Sequence, residues 1–166
     1  MTAVGIATTP AADLPWQAGL GLRAGPTLTR RGWRFESSVD FRLITGSSDS
    51  QNGRMLSLRE RGVGIGIAAT RRRSRLALGV ALRLNLRLIS ALAEVGPQTE
   101  RVSQVIPAME VAGALRIHLS RMLALSALVG VEASAVRQRF TILGQPMADL
   151  GRLRGFLHLG LVYDLR

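Results

Sequence analysis

The chain has 166 residues and a formal net charge of +11, from 22 basic and 11 acidic side chains, and every basic residue is arginine. Its 47% hydrophobic content excludes intrinsic disorder, which needs a chain poor in Leu, Ile and Val. The absence of cysteine excludes disulfide scaffolds, thiolate metal sites and thiol nucleophiles, and 4% aromatics leave little for a base-stacking nucleic-acid platform. One domain is the expectation at this length.

Met1–Ala7 lacks the charged and apolar regions of a secretory leader. The most apolar stretch, Leu76 to Leu92, is too broken for a membrane helix. Arg83, Asn85 and Arg87 interrupt it, and a spanning helix needs about 20 mostly apolar residues.

The dominant signal has period 2, the period of an extended strand. Leu14 to Thr29 sets Trp16, Ala18, Leu20, Leu22 and Ala24 against Gln17, Gly19, Gly21 and Arg23. Trp33 to Thr45 sets Trp33, Phe35, Val39, Phe41 and Leu43 against Arg34, Glu36, Ser38, Asp40 and Arg42. Gly62 to Ala69 alternates Val63, Ile65 and Ile67 with Gly62, Gly64 and Gly66. From Leu76 to Leu88 every second residue is apolar, while Arg83, Asn85 and Arg87 share the other parity. Val105 to Leu119, Leu123 to Ala135 and Leu153 to Leu165 repeat the pattern, with Glu110, Arg116, Glu132 and Arg154 on the polar side. On a helix those leucines would spread around the whole wheel, so the pattern outweighs the helix propensity of Leu, Ala and Arg.

Seven strands of mostly 10–16 residues follow, longer than the usual 5 or 6 of globular sheets. Their connections alternate. Thr29–Gly32, Arg71–Arg75 and Ser120–Met122 are short; Thr45–Arg61, Ala93–Gln104 and Arg137–Gly151 are expected to be long loops. Short turns at one end and long loops at the other are the layout of an outer-membrane barrel.

In this, and in its final strand, the chain resembles the small eight-stranded β-barrels of the bacterial outer membrane. Members of that class close with an alternating strand, a Tyr near its end and a terminal aromatic. Leu157, Leu159, Leu161, Tyr163 and Leu165 stand in those places, with Arg166 beyond. The resemblance implies an all-β, antiparallel, up-and-down transmembrane barrel of about eight strands, seven of them clear. Since such barrels have even strand numbers, an earlier strand is expected. Met1–Thr8 is read as part of it and Thr9–Leu14 as its loop, with a leader and the rest of that strand upstream. The division is then a partial first strand and loop over 1–13 and seven strands over 14–166.

With the apolar parity toward lipid, the lumen receives Arg23, Arg34, Arg42, Arg83, Arg87, Arg116 and Arg154 beside Glu36, Asp40, Glu110, Glu132 and Asp164. An eight-stranded barrel is only wide enough for side chains to fill, so these ions are expected to form a paired network. The excess of Arg implies a bound anion, water or partial hydration. The glycines of the same parity leave room for the long arginines. The short turns carry Arg30, Arg31, Arg71, Arg72, Arg73, Arg75 and Arg121, placed to meet anionic lipid headgroups.

Other motifs are weaker. His118 and Ser120 share a parity and resemble the His-x-Ser pair of outer-membrane lipid A deacylases, but at the short-turn end rather than the outer-leaflet end. A hydrogen-bonded lumen histidine is the better reading. His158 also faces inward, and two isolated histidines make a poor metal site. Arg61–Gly66 lacks the following helix and Lys of a phosphate loop. Trp16, Trp33 and Tyr163 fit an interfacial aromatic girdle or an ordinary core equally well.

The reading is therefore a non-enzymatic outer-membrane protein without cofactor or metal. Its partners are membrane lipid and an unspecified loop partner, with no nucleic acid, and long exposed loops carry its interactions. A soluble barrel binding an apolar ligand is the alternative, and a lipid-modifying membrane enzyme a more distant one.

Overall fold

The computed structural model describes residues 2–8, 17–50, 54–95, 98–142 and 145–164. They form nine strands and no helix: β1 (Thr2–Thr8), β2 (Gln17–Ala24), β3 (Thr27–Arg30), β4 (Trp33–Ser50), β5 (Arg54–Arg73), β6 (Leu76–Val95), β7 (Gln98–His118), β8 (Leu123–Ile142) and β9 (Gln145–Tyr163). Every pairing is antiparallel.

The ladder returns on itself. β4 through β9 pair in sequence, β9 pairs with β1, β1 with β2, and β2 with β4. β2 and β3 hold a single register against β4, from Ala18↔Thr45 to Arg30↔Trp33, so together they make one wall strand. The barrel wall thus has eight strands. The break between β2 and β3 comes from Gly25 and Pro26. A Cβ on Gly25 would lie 1.8 Å from the Ser37 carbonyl oxygen, and Pro26 has no N–H to give, though its carbonyl accepts from the Ser37 N–H at 3.3 Å. Arg31 and Gly32 turn the chain at φ 51° and 79°, the left-handed pair that suits a two-residue hairpin.

The described residues of the expected long loops are instead strand. β4 and β5 run to Ser50 and from Arg54, β6 and β7 to Val95 and from Gln98, and β8 and β9 to Ile142 and from Gln145. The alternation does not stop in these stretches; its sense inverts. Leu56, Leu58, Ile89 and Ile106 are buried on the inner face, whereas Arg59, Arg61, Arg101 and Ser103 are exposed. A search for apolar-out, polar-in strands therefore misses them. Between β8 and β9 the register also slips after Ala133, a bulge that hides the strand further. Thr9–Leu14, Trp16 and Leu165 lie outside the described residues.

Sidedness is plain along β6. Leu76, Leu78, Val80, Leu82, Leu84, Leu86 and Leu88 are 38–64% exposed, whereas Ala81, Arg83, Asn85 and Arg87 are 1–6% exposed. The outer face is greasy and the inner face charged. A soluble barrel with an apolar ligand site would need the reverse.

Candidate functional site

The lumen is layered. Reading β6 from the turn end, Ala81 is followed by Arg83, Asn85 and Arg87, then Ile89 and Ala91; β7 gives Ala112, Glu110, Ala108 and Ile106 in the same order. The lower apolar layer is Ala81, Ala112, Leu128 and Phe156, and the upper one is Leu56, Leu58, Ile89, Ala91 and Ile106. Between them lies the ionic layer.

Three carboxylates organise that layer. Glu60 accepts from Arg87 Nε at 2.8 Å and Nη2 at 2.7 Å, and from Arg154 Nη2 at 3.0 Å. Glu132 accepts from Arg42 Nη2 at 2.9 Å, from Arg154 Nε at 2.6 Å, and from Arg87. Glu110 joins Arg42 to Arg83, the latter at 3.3 Å. Asp40 pairs with Arg23, faces Arg83 Nε at 3.5 Å, and accepts from Ser38 Oγ at 3.3 Å. All of these side chains sit on the inner face, most of them almost fully buried.

Glu60 is the member that sequence reasoning placed in a loop. It shares the parity of Gly62, Gly64 and Gly66, so extending that strand two residues backward brings it inside. The three glycines of β5 create the space for the layer. A Cβ on Gly62 would come within 2.9 Å of the Arg42 side chain, one on Gly64 within 2.0 Å of Asn85 Oδ1, and one on Gly66 within 2.7 Å of Arg83 Cγ.

A second ionic cluster closes the turn end. Arg34 grips Asp164 with two hydrogen bonds, at 2.8 and 2.5 Å, and donates to Glu36 at 2.6 Å; Arg116 donates to Glu36 at 2.5 and 2.9 Å. Asp164 lies just past β9, and its hydrogen bond to Arg34 holds its carboxyl below the ordinary aspartate range. A depressed folded-state value means this contribution is complete above the unfolded aspartate pKa of about 3.9 and is lost as pH falls through the folded value. The unfolding midpoint of Asp164→Asn is expected to fall less than that of the wild-type protein when both are acidified below about pH 4. Parallel thermal scans at pH 7 and pH 3 check this, and equal losses in both proteins would refute it.

The three short turns lie side by side. Arg72 N–H donates to Gly32 O at 3.2 Å, His118 N–H to Arg75 O at 2.8 Å, and Asp164 N–H to Met122 O at 2.9 Å. This gathers Arg30, Arg31, Arg71, Arg72, Arg73, Arg75 and Arg121 into one exposed rim. Trp33 and Tyr163 are at the same end and exposed, with the Arg71 guanidinium 5.9 Å over the Trp33 ring.

His118 ends β7 and is buried, but Ser120 lies in the bend beyond it and is exposed, so the two do not share an inner face. Strand parity ends with the strand, and Ser120 Oγ instead accepts from the N–H groups of Met122 at 3.2 Å and Leu123 at 3.0 Å, which stabilises the turn. His158 is buried against Phe156, ring centroids 4.5 Å apart.

A closed antiparallel wall with an apolar exterior and an ionic lumen has counterparts among solved structures. The fold is that of the small outer-membrane β-barrels. Neisserial surface protein A superposes with a TM-score of 0.60 at 14% identity, over 99% of this chain and 94% of that one. Ail, the attachment invasion locus protein of Yersinia pestis, gives 0.59 at 14% identity over 98% and 95%. The outer-membrane protease OmpT from Escherichia coli gives 0.56 at 12% identity, over 92% of this chain and 65% of that one. No family model and no curated protein matches the sequence.

Proposed function

We propose that this protein is a non-enzymatic β-barrel of the bacterial outer membrane whose long hairpins carry its contacts. The observation that carries this reading is the sidedness of the wall. Large apolar side chains cover the outside and fully buried ions fill the inside, which suits hydrocarbon outside and defeats a soluble barrel. The β4–β5, β6–β7 and β8–β9 hairpins extend past the apolar belt, at the end opposite the short turns. They take the place of the expected loops as the surface for a partner. The arginine rim faces the other way, where it meets anionic headgroups or a solvated boundary. The fold assigns no activity, since one neighbour is a protease. The turn-stabilising hydrogen bonds of Ser120 favour a structural role over a nucleophilic one.

Cell fractionation of the full-length protein, with gel mobility before and after boiling, tests the reading. The expected result is recovery in the outer-membrane fraction, extraction only with detergent, and a change of mobility on heating. A monodisperse monomer purified without detergent would overturn it.

A further inference from the structure

Three paired positions make a row on the outer face at the turn end. Arg30 on β3 stands opposite Trp33 on β4, and Trp33 stands opposite Arg71 on β5. Directly paired residues share a face of the sheet, so two arginines flank one tryptophan there. All three are exposed. Neighbouring strands lie about 4.8 Å apart, which puts Arg30 and Arg71 roughly 10 Å apart at the backbone, close enough for two such long side chains to converge on one ligand. The Arg71 guanidinium lies 5.9 Å over the Trp33 ring, and a stacked guanidinium still presents its N–H edge to an anion.

The next row toward the middle of the wall is apolar. Leu28, Phe35, Ala69 and Val80 follow one another across β3, β4, β5 and β6. Leu28, Phe35 and Val80 are exposed, and the small Ala69 leaves a gap between the last two. An open groove of about 640 Å³ runs here, flanked further along by Ile67 and Leu82. Its volume lies in the range of roughly 300–1,000 Å³ common to ligand sites. Charge says what its occupant carries. Segments 29–33, 70–76 and 119–122 contain seven arginines and no Asp or Glu. Asp164, whose N–H donates to the last of these turns, has its carboxylate held by Arg34.

We infer that this patch binds one anionic phospholipid, with the phosphodiester between Arg30 and Arg71 beside Trp33 and an acyl chain in the groove over Ala69. Tryptophan marks the headgroup level of a membrane protein, where such a phosphate lies. A zwitterionic lipid would carry its ammonium in among the arginines. A headgroup without a cation, such as that of phosphatidylglycerol, meets attraction alone. The inference rests on the lipid-facing reading of the apolar belt.

The chain has two tryptophans, so Trp16→Phe leaves Trp33 as the sole reporter. That full-length barrel is folded into phosphatidylcholine vesicles, and a minor share of the lipid is replaced by chain-brominated phosphatidylglycerol or chain-brominated phosphatidylcholine. Bromine quenches only a neighbouring indole. Phosphatidylglycerol is expected to be enriched at Trp33 by about five- to thirtyfold, the worth of one or two arginines at an anionic headgroup. Arg30→Gln with Arg71→Gln is expected to remove most of that preference. Arg75→Gln with Arg121→Gln, the same loss of charge elsewhere on the rim, is expected to keep it. Crystals grown with the brominated phosphatidylglycerol need no variant, and bromine is expected over Ala69, between Phe35 and Val80. Equal quenching by the two brominated lipids, or equal loss of preference in both double variants, would overturn the inference and leave the outer-membrane reading standing. No quenching by either lipid would overturn both.

Discussion

Glu132→Gln is expected to lower the unfolding free energy of the barrel by about 3–5 kcal/mol, the cost of leaving a buried charge without its partner. Glu132 is 2% exposed and binds Arg42, Arg87 and Arg154 together. Glutamine keeps the volume but presents an N–H₂ group where three guanidiniums need an acceptor. Glu60 already faces the same three arginines, with hydrogen bonds from Arg87 and Arg154 and Arg42 Nε at 3.6 Å, so its carboxylate has no capacity left to replace Glu132. The attribution to charge is checked by Glu132→Gln combined with Arg154→Met, which also removes one of the three cations that Glu132 binds. That double variant is expected to lose less than the two single losses added together. Urea unfolding in lipid vesicles, read by the folded band on unboiled gels, measures each. A loss below about 1 kcal/mol for Glu132→Gln, the range of an exposed ion pair, would show that the lumen is hydrated and that the network is not a dry plug.

The wall was legible where one rule held along a strand. From Leu76 to Leu88 the outer face meets one solvent and the inner face another, so alternation alone orients Arg83, Asn85 and Arg87 inward. The same reasoning reaches Arg42, Glu110, Glu132 and Arg154, because a charged residue surrounded by outward leucines has only the lumen to enter. It fails above the belt. There water replaces lipid outside, while Leu56, Leu58, Ile89 and Ile106 cap the ions inside. Polar and apolar exchange faces, and a stretch such as Thr45–Arg61 takes on the composition of a loop although its described residues are paired. Glu60 is lost with it, and so is an acidic partner that brings the lumen closer to balance. Asn85 and His158 were visible as inward residues, but nothing in a sequence shows that both line one cavity. That depends on the stagger between β6 and β9, which are not neighbours in the wall. Ser120 fails for a simpler reason: parity is a property of extended backbone, and β7 ends at His118.

Leu82→Arg is expected to cost about 2–4 kcal/mol in a bilayer, the penalty for arginine on the lipid face at mid-depth. From Leu76 to Leu88 the strand rises about 40 Å. At a tilt of about 35–45° this becomes roughly 30 Å of height, the thickness of the hydrocarbon core. Leu82 is the middle of that run, faces outward, and pairs with Ile67 on one side and Val111 on the other, both exposed apolar residues. An arginine there finds no acceptor within the belt and must snorkel or thin the bilayer. Depth supplies the control. Arg59 and Arg61 already stand exposed on the outer face of β5 beyond the belt, and Leu43, the partner of Arg61, sits at its upper margin. Leu43→Arg is therefore expected to cost no more than about 1 kcal/mol, as at an interface. Both variants keep the lumen intact, so the contrast isolates the outer face. Reversible unfolding from vesicles of matched thickness reads the two costs. Equal and negligible costs at both depths would mean that water, not hydrocarbon, bathes the leucine belt.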